Sequence, residues 1–272
     1  MSEELINKVL AEVVKKMGGD APAPSAAPAP APTPAPTPAA GTLPAVTEFV
    51  GTNVLGDTIG MVIANVDPKL RAMMKLEKDF RSIGILGART GAGPHIFAAD
   101  EAVKATNSEI LTIELPRDTK GGAGHGSLII FGAEDVSDAR RAVEVALGEL
   151  DRTFGDVYGN DAGHLEFQYT ARASYALNKA FGAPIGKAFG ITVGAPAGIG
   201  VVLADTAVKA ATVDVIGYAS PAGGTSYSNE VISFLSGDSG AVRQAIIAAR
   251  EVGIPLLGAL GATPESTTTP YI

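Results

Sequence analysis

The sequence predicts an α/β (α+β) protein made of two successive copies of one domain, and three observations carry that expectation. The segment ADEAVKATNSEIL, Ala99 to Leu111, returns as ADTAVKAATVDVI, Ala204 to Ile216, at a constant offset of 105 positions. An apolar content of 46% over 272 residues suffices for two modest cores, and 33 glycines with 6% aromatic residues point to small-residue packing. Short β-branched runs alternate with amphipathic helical patterns between Gly, Pro and Asp punctuation.

The first predicted element is a helix within residues 1–18. Leu5, Ile6, Val9, Leu10, Val13, Val14 and Met17 share one stripe, with Ser2 available as N-cap. A lone helix of this length is marginal in water, so it is expected to dock on a partner. Residues 19–46 form a linker with proline at 22, 24, 28, 30, 32, 34, 36 and 38. Such a tract is an extended spacer, reaching on the order of 60 Å at about 3.1 Å per residue.

Residues 47–157 and 158–272 are assigned to the two domains. In the first, Thr58–Ala64 reads as a strand, Pro68–Lys78 as a helix, Ser82–Gly87 as a strand and Pro94–Ala105 as a helix. Strands at Glu109–Leu115 and Ser127–Phe131 flank a Gly-rich loop, and Asp135–Leu150 is a helix. The second copy repeats this order from Leu165, and Thr263–Ile272 is expected to lie on the surface.

Composition narrows the function. A net charge of −8 and a pI near 4.9 speak against nucleic acid or an anionic bilayer as the main partner. The absence of cysteine excludes disulfides, thiolate metal sites and cysteine nucleophiles. No secretory pattern opens the chain, and its longest apolar stretch, Phe189 to Ala204, is short and broken by Gly194, Pro196, Gly198 and Gly200. A cytoplasmic location is expected.

Three motifs invite chemistry. GDSGA, Gly237 to Ala241, resembles the surroundings of a serine nucleophile, but the histidines available are His95, His125 and His164. The matching AEDVS of the first copy places no serine at the position of Ser239 and still opens a helix, so Asp238 or Ser239 reads as an N-cap. KGGAGHGS, Lys120 to Ser127, lacks the P-loop's Lys-Ser/Thr pair and joins two strands. GAPAGIG, Gly194 to Gly200, is not a dinucleotide fingerprint. Glu114, Asp118 and His125 lie near one loop at no standard ligand spacing. No catalytic residue, cofactor or metal site is expected. The competing reading is a soluble pseudo-symmetric enzyme or metabolite-binding sensor with its site between the repeats.

The DxAVKA element of both copies, followed by a strand, a loop and a Gly-Asp turn into an Arg-bearing helix, resembles the bacterial microcompartment (BMC) shell domain. GDSGAVRQA is similar to that family's turn before its last core helix. TIGMVIANVDPKLRAMM and LEFQYTARASYALNKAF precede the two cores, which implies the circularly permuted form of the domain. TEFVG, SIGILGARTGAGPHI, LPRDTKGGAGHGSLII, ELDRTFGDVY and the terminal Tyr-Ile are similar to tandem-domain shell proteins of propanediol-utilisation compartments.

This resemblance implies a pseudohexameric trimer, a homotrimeric tile that meets other shell proteins edge to edge. Lys104 and Lys209 match the family's edge lysine, and its following asparagine is Asn107 in one copy but Thr212 in the other. The loops Pro116–Gly126 and Pro221–Asn229 would face the tile's middle. Gly121, Gly122, Gly124, Gly126, Gly223 and Gly224 permit close approach there, and Arg117, Asp118, Lys120, His125, Ser226, Ser228 and Asn229 would line a passage for a small polyol. The helix from Leu5 to Met17 would link the shell to enclosed enzymes.

Overall fold

The computed structural model describes residues 45–76, 78–117 and 125–272, and nearly all of the described chain forms a single compact unit. The expectations for residues 1–18, for the linker up to residue 44, and for Asp118, Lys120, Gly121, Gly122 and Gly124 lie outside the described residues.

The first repeat runs β1 (Phe49–Asn53), β2 (Thr58–Ile63), α1 (Pro68–Met74), β3 (Ser82–Ala88), α2 (Ala92–Ala105), β4 (Glu109–Glu114), β5 (Ser127–Ala133) and α3 (Val136–Thr153). The second runs β6 (Val157–Asn160), β7 (Gly163–Thr170), α4 (Tyr175–Phe181), β8 (Ala188–Ala195), α5 (Ala197–Ala210), β9 (Asp214–Ala219), β10 (Val231–Gly237), α6 (Ser239–Gly258) and β11 (Glu265–Ser266). Two antiparallel sheets result, ordered β1-β2-β3-β5-β4 and β11-β6-β7-β8-β10-β9.

Helix α1 begins where Asp67 accepts from the backbone N–H groups of Lys69 and Leu70, with Pro68 at the first helical position. It stops at Met74 rather than Lys78, because Lys75 takes a left-handed conformation that ends the helix. Helix α3 packs on the first sheet through Ala139, Ala142, Val143, Ala146 and Leu150, all buried. A side chain at Gly84 would lie 2.6 Å from the Ala139 carbonyl and 2.7 Å from Val143. Its counterpart Gly190 stands equally close to Ile246 and Val242 of α6, so both copies use glycine to seat their last long helix.

Two strands were not expected from the sequence. Strands β1 and β6 extend each sheet by a short edge whose glycines hid the alternation. The C-terminal segment lies on the surface, as expected, and is docked there: β11 pairs with β6, and Asp156 accepts from the backbone N–H groups of Tyr271 and Ile272 at 2.8 and 3.0 Å. Asp156 is fully buried and pairs with Arg250 at 2.5 Å, and the Tyr271 hydroxyl donates to the Tyr169 carbonyl.

Candidate functional site at the seam between the repeats

The seam is built by α2. Its residues Ile96, Phe97, Ala98, Ala99 and Ala102 join Ala173, Ala176 and Leu177 of the second repeat, and Phe189, Ile191 and Val193 of β8, in one apolar cluster. Phe97 stacks on Phe189 with ring centres 6.0 Å apart, and Phe181 stacks on Phe189 and Phe234. Helix α4 carries no N-cap side chain of its own. Asp100 of the other repeat supplies one, accepting from Ser174 N at 3.0 Å, Ser174 Oγ at 2.9 Å and Leu177 N at 3.2 Å. Lys104 Nζ balances that buried carboxylate at 2.8 Å and also reaches Glu101.

The counterparts of these groups at the outer ends of the chain are uncovered. On α5, Val201 and Val202 are 48% and 42% exposed, whereas the α2 residues at the same positions, Ile96 and Phe97, are 0% and 2%. The Asp205–Lys209 pair repeats Asp100–Lys104 but stands in solvent, with its lysine side chain 73% exposed against 25% for Lys104. The receiving surface is bare as well. Leu177 of α4 is fully buried, while Leu70 at the matching position of α1 is 49% exposed, and Met73 beside it is 79% exposed. Among the described residues, the α2–α4 contact is filled within the chain, while the matching faces of α5 and α1 are open.

A polar cluster sits beside the seam. His125, from the loop before β5, faces Glu230 across 3.5 Å, and His164 of β7 faces Glu230 at 3.6 Å and Glu166 at 3.8 Å. Burial pushes Glu230 up, but the two imidazoles facing it more than reverse this and bring it to about 2. Burial pulls His164 down, and Glu230 and Glu166 outweigh it, leaving the imidazole above its ordinary value. Burial holds the Glu166 carboxyl above the usual range despite the nearby imidazoles. A cavity of about 50 Å³ adjoins the cluster, lined in part by Gly93, Leu115, His125, Glu166, Phe181 and Glu230. No group of His, Asp and Glu among the described residues is arranged to hold a metal ion.

The structure brings some of the sequence candidates together. Arg117 donates to the Ser226 carbonyl at 2.6 Å, joining the two loops, and the Pro116 carbonyl accepts from Gly126 N. Ser226 is exposed, Ser228 is buried, and Asn229 accepts from Ala197 N at the start of α5. Asn107 lies exposed in the turn after α2, as Thr212 does after α5. Glu114 ends β4 in the open, and the partner of His125 is Glu230 of the other repeat. His95 is buried against Thr58 and the Gly91 carbonyl, with burial lowering it to about 4. Ser239 Oγ pairs with the Tyr169 hydroxyl at 2.6 Å. Glu166 and Glu230 were missed, because residues 164 and 230 meet only when β7 and β10 flank β8, and His125 joins them only when the second repeat folds onto the first. The one local signal was polar His164 and Glu166 on the same face of a strand.

The BMC domain matches residues 82–160 and again 188–262. The chain belongs to the BMC-domain family. Both matched stretches start at the central strand, β3 or β8. The bacterial microcompartment shell protein PduB of Citrobacter freundii is 63% identical over 271 residues, covering 100% of this chain and 99% of that one. PduB of Salmonella typhimurium is 63% identical over the same length and shares of the two chains. Among solved structures, a trimeric bacterial microcompartment shell protein PduB superposes with a TM-score of 0.81 at 55% identity, covering 84% of this chain and 100% of its own. EtuB from Clostridium kluyveri superposes equally well at 58% identity over the same shares. The first match covers β3, β4 and β5 of one sheet with α2 and α3 and runs on into β6, and the second covers β8, β9 and β10 of the other sheet with α5 and α6. Among the described residues no helix is long and apolar enough to cross a membrane.

Proposed function

We propose that the chain is a structural subunit of a bacterial microcompartment shell, a trimeric tile in which six BMC domains close into a ring and no covalent chemistry takes place. The observation that carries this is the pairing of covered and uncovered faces. Helix α2 with Asp100 fills the second domain, and α5 with Asp205 presents the same face with nothing on it, while Leu70 and Met73 wait at the other end. A face that fits a different surface of its own copy makes a head-to-tail contact, which closes when the rotation allows. The relatives named as shell proteins and the trimeric neighbour support closure at three chains. Their names also support the shell as the place where the tile resides.

Finer features of this reading follow from the family. Lys209, standing in solvent, is assigned to tile-to-tile contact together with Asn107 and the less exposed Lys104. Residues 1–18 on their proline-rich tether are assigned to enclosed enzymes, and small polyols to the passage beside the seam and central loops.

The test is mass determination in solution and negative-stain imaging of full-length protein. Trimers and hexagonal layers are expected from the parent. Val202→Asp and Met73→Asp should each give folded monomers, because a charge at a closely packed apolar contact raises the dissociation constant at least tenfold. Monomers from the parent, or trimers unaffected by either change, would overturn the reading.

A further inference from the structure

We propose that His125, His164, Glu166 and Glu230 form a proton-operated latch on the seam between the two repeats, closed while the His164 imidazole is charged and released when it loses its proton. The four groups come from three places: the loop before β5 of one repeat, and β7 and the approach to β10 of the other. Only the His125–Glu230 contact among them crosses from repeat to repeat.

The geometry is that of a contact not fully made. Separations of 3.5 to 3.8 Å are within reach of charge attraction and beyond a good hydrogen bond. Glu230 Oε1 and His164 Nε2 are buried without a hydrogen-bond partner, and so are the hydroxyls of Ser127 and Ser228, which flank the cluster in sequence. Buried polar atoms are seldom left in this state, and the facing Glu230 and His164 atoms mark a site that can repack. The cavity beside it gives the side chains room to do so. Among the described residues, the charges acting on His164, Glu166 and Glu230 all come from within the quartet.

Charge decides which arrangement wins. With His164 protonated, Glu166 and Glu230 share a cation at 3.8 and 3.6 Å. With His164 neutral, Glu230 and ionised Glu166 lose that shared cation and repel each other, which draws Glu230 off His125 and loosens the seam. The sign follows for each group. Glu230, lowered to about 2, stabilises the fold above the ordinary carboxylate range and loses that effect only as pH falls towards 2. Glu166, raised, gives up its contribution as pH climbs out of the carboxylate range. His164, also raised, contributes fully below about 6.5 and loses its contribution as pH rises through its folded value. Release therefore lies on the alkaline side.

The chain holds three histidines, so ring-carbon-labelled full-length protein gives three signals to follow by NMR. The His164 signal is expected to titrate above 6.5, with buried His95 near 4 as an internal reference. Glu230→Gln should weaken the His164 proton affinity about tenfold, one pH unit. Hydrogen exchange corrected for intrinsic rate should show protection in segments 163–170 and 231–237 falling at least about fivefold from pH 6 to pH 9, relative to segment 58–63. Should Glu230→Gln fail to fold, Glu166→Gln provides the second variant and should retain protection at pH 9. A His164 midpoint at or below 6.5, indifference of that midpoint to Glu230→Gln, or equal protection ratios across the pH range would overturn the proposal.

Discussion

Asp100 and Asp205 occupy the same place in the same motif and do different work. Asp100 is 1% exposed and holds the start of α4 by accepting from three donors, while the Asp205 side chain is 58% exposed and pairs with Lys209. Asp100→Ala would strand two backbone N–H groups and a lysine inside the seam, and urea unfolding should show a loss of about 3 kcal/mol. Asp205→Ala should leave unfolding of the isolated chain within about 0.5 kcal/mol, as for other exposed ion pairs, and weaken assembly instead. The sequence made both lysines of the motif legible as a pair. Their difference was not legible, because the helix that shelters Lys104 lies some seventy residues further along the chain. His125 is a similar case: Glu114 and Asp118 were its near neighbours in sequence, and Glu230 proved its partner in space.

Helices and strands were read more reliably than their limits. The alternating and helical periodicities located β2 to β5 and α1 to α3, whereas β1 and β6, four or five residues long and interrupted by glycine, carried too little pattern to register. Glycine also decides how closely elements approach. A methyl group at Gly84 would press on the Ala139 carbonyl and Val143, so Gly84→Ala should cost about 1–3 kcal/mol by forcing α3 off the sheet. Gly148, in the same helix, has no atom within 4 Å of the position a Cβ would take. Gly148→Ala should therefore stabilise by about 0.5–1 kcal/mol through helix propensity, and thermal unfolding of the two variants should move in opposite directions.

At the scale of the whole molecule, the segment after α6 ties the two repeats together. Thr268 donates to the Asp151 carbonyl in α3, Thr267 N donates to the Val157 carbonyl, and the Arg152 guanidinium lies 5.0 Å over the Tyr271 ring. Asp156→Ala would leave half-buried Arg250 without its carboxylate and orphan two backbone donors, a loss of about 2–4 kcal/mol. Hydrogen exchange should then quicken at residues 157–160 and 265–272 before the rest of the fold. That clasp was illegible because a polar, Thr-rich stretch ending in Tyr-Ile has the composition of a free surface segment, and its anchor is a single buried aspartate more than a hundred residues earlier. The head-to-tail contact has a last consequence. Copies related by rotation about one axis all turn the same side the same way, so a ring of them has a front and a back that differ in every residue. Three such chains cannot build a reversible disc, and a single tile can present a different surface to each side of a layer.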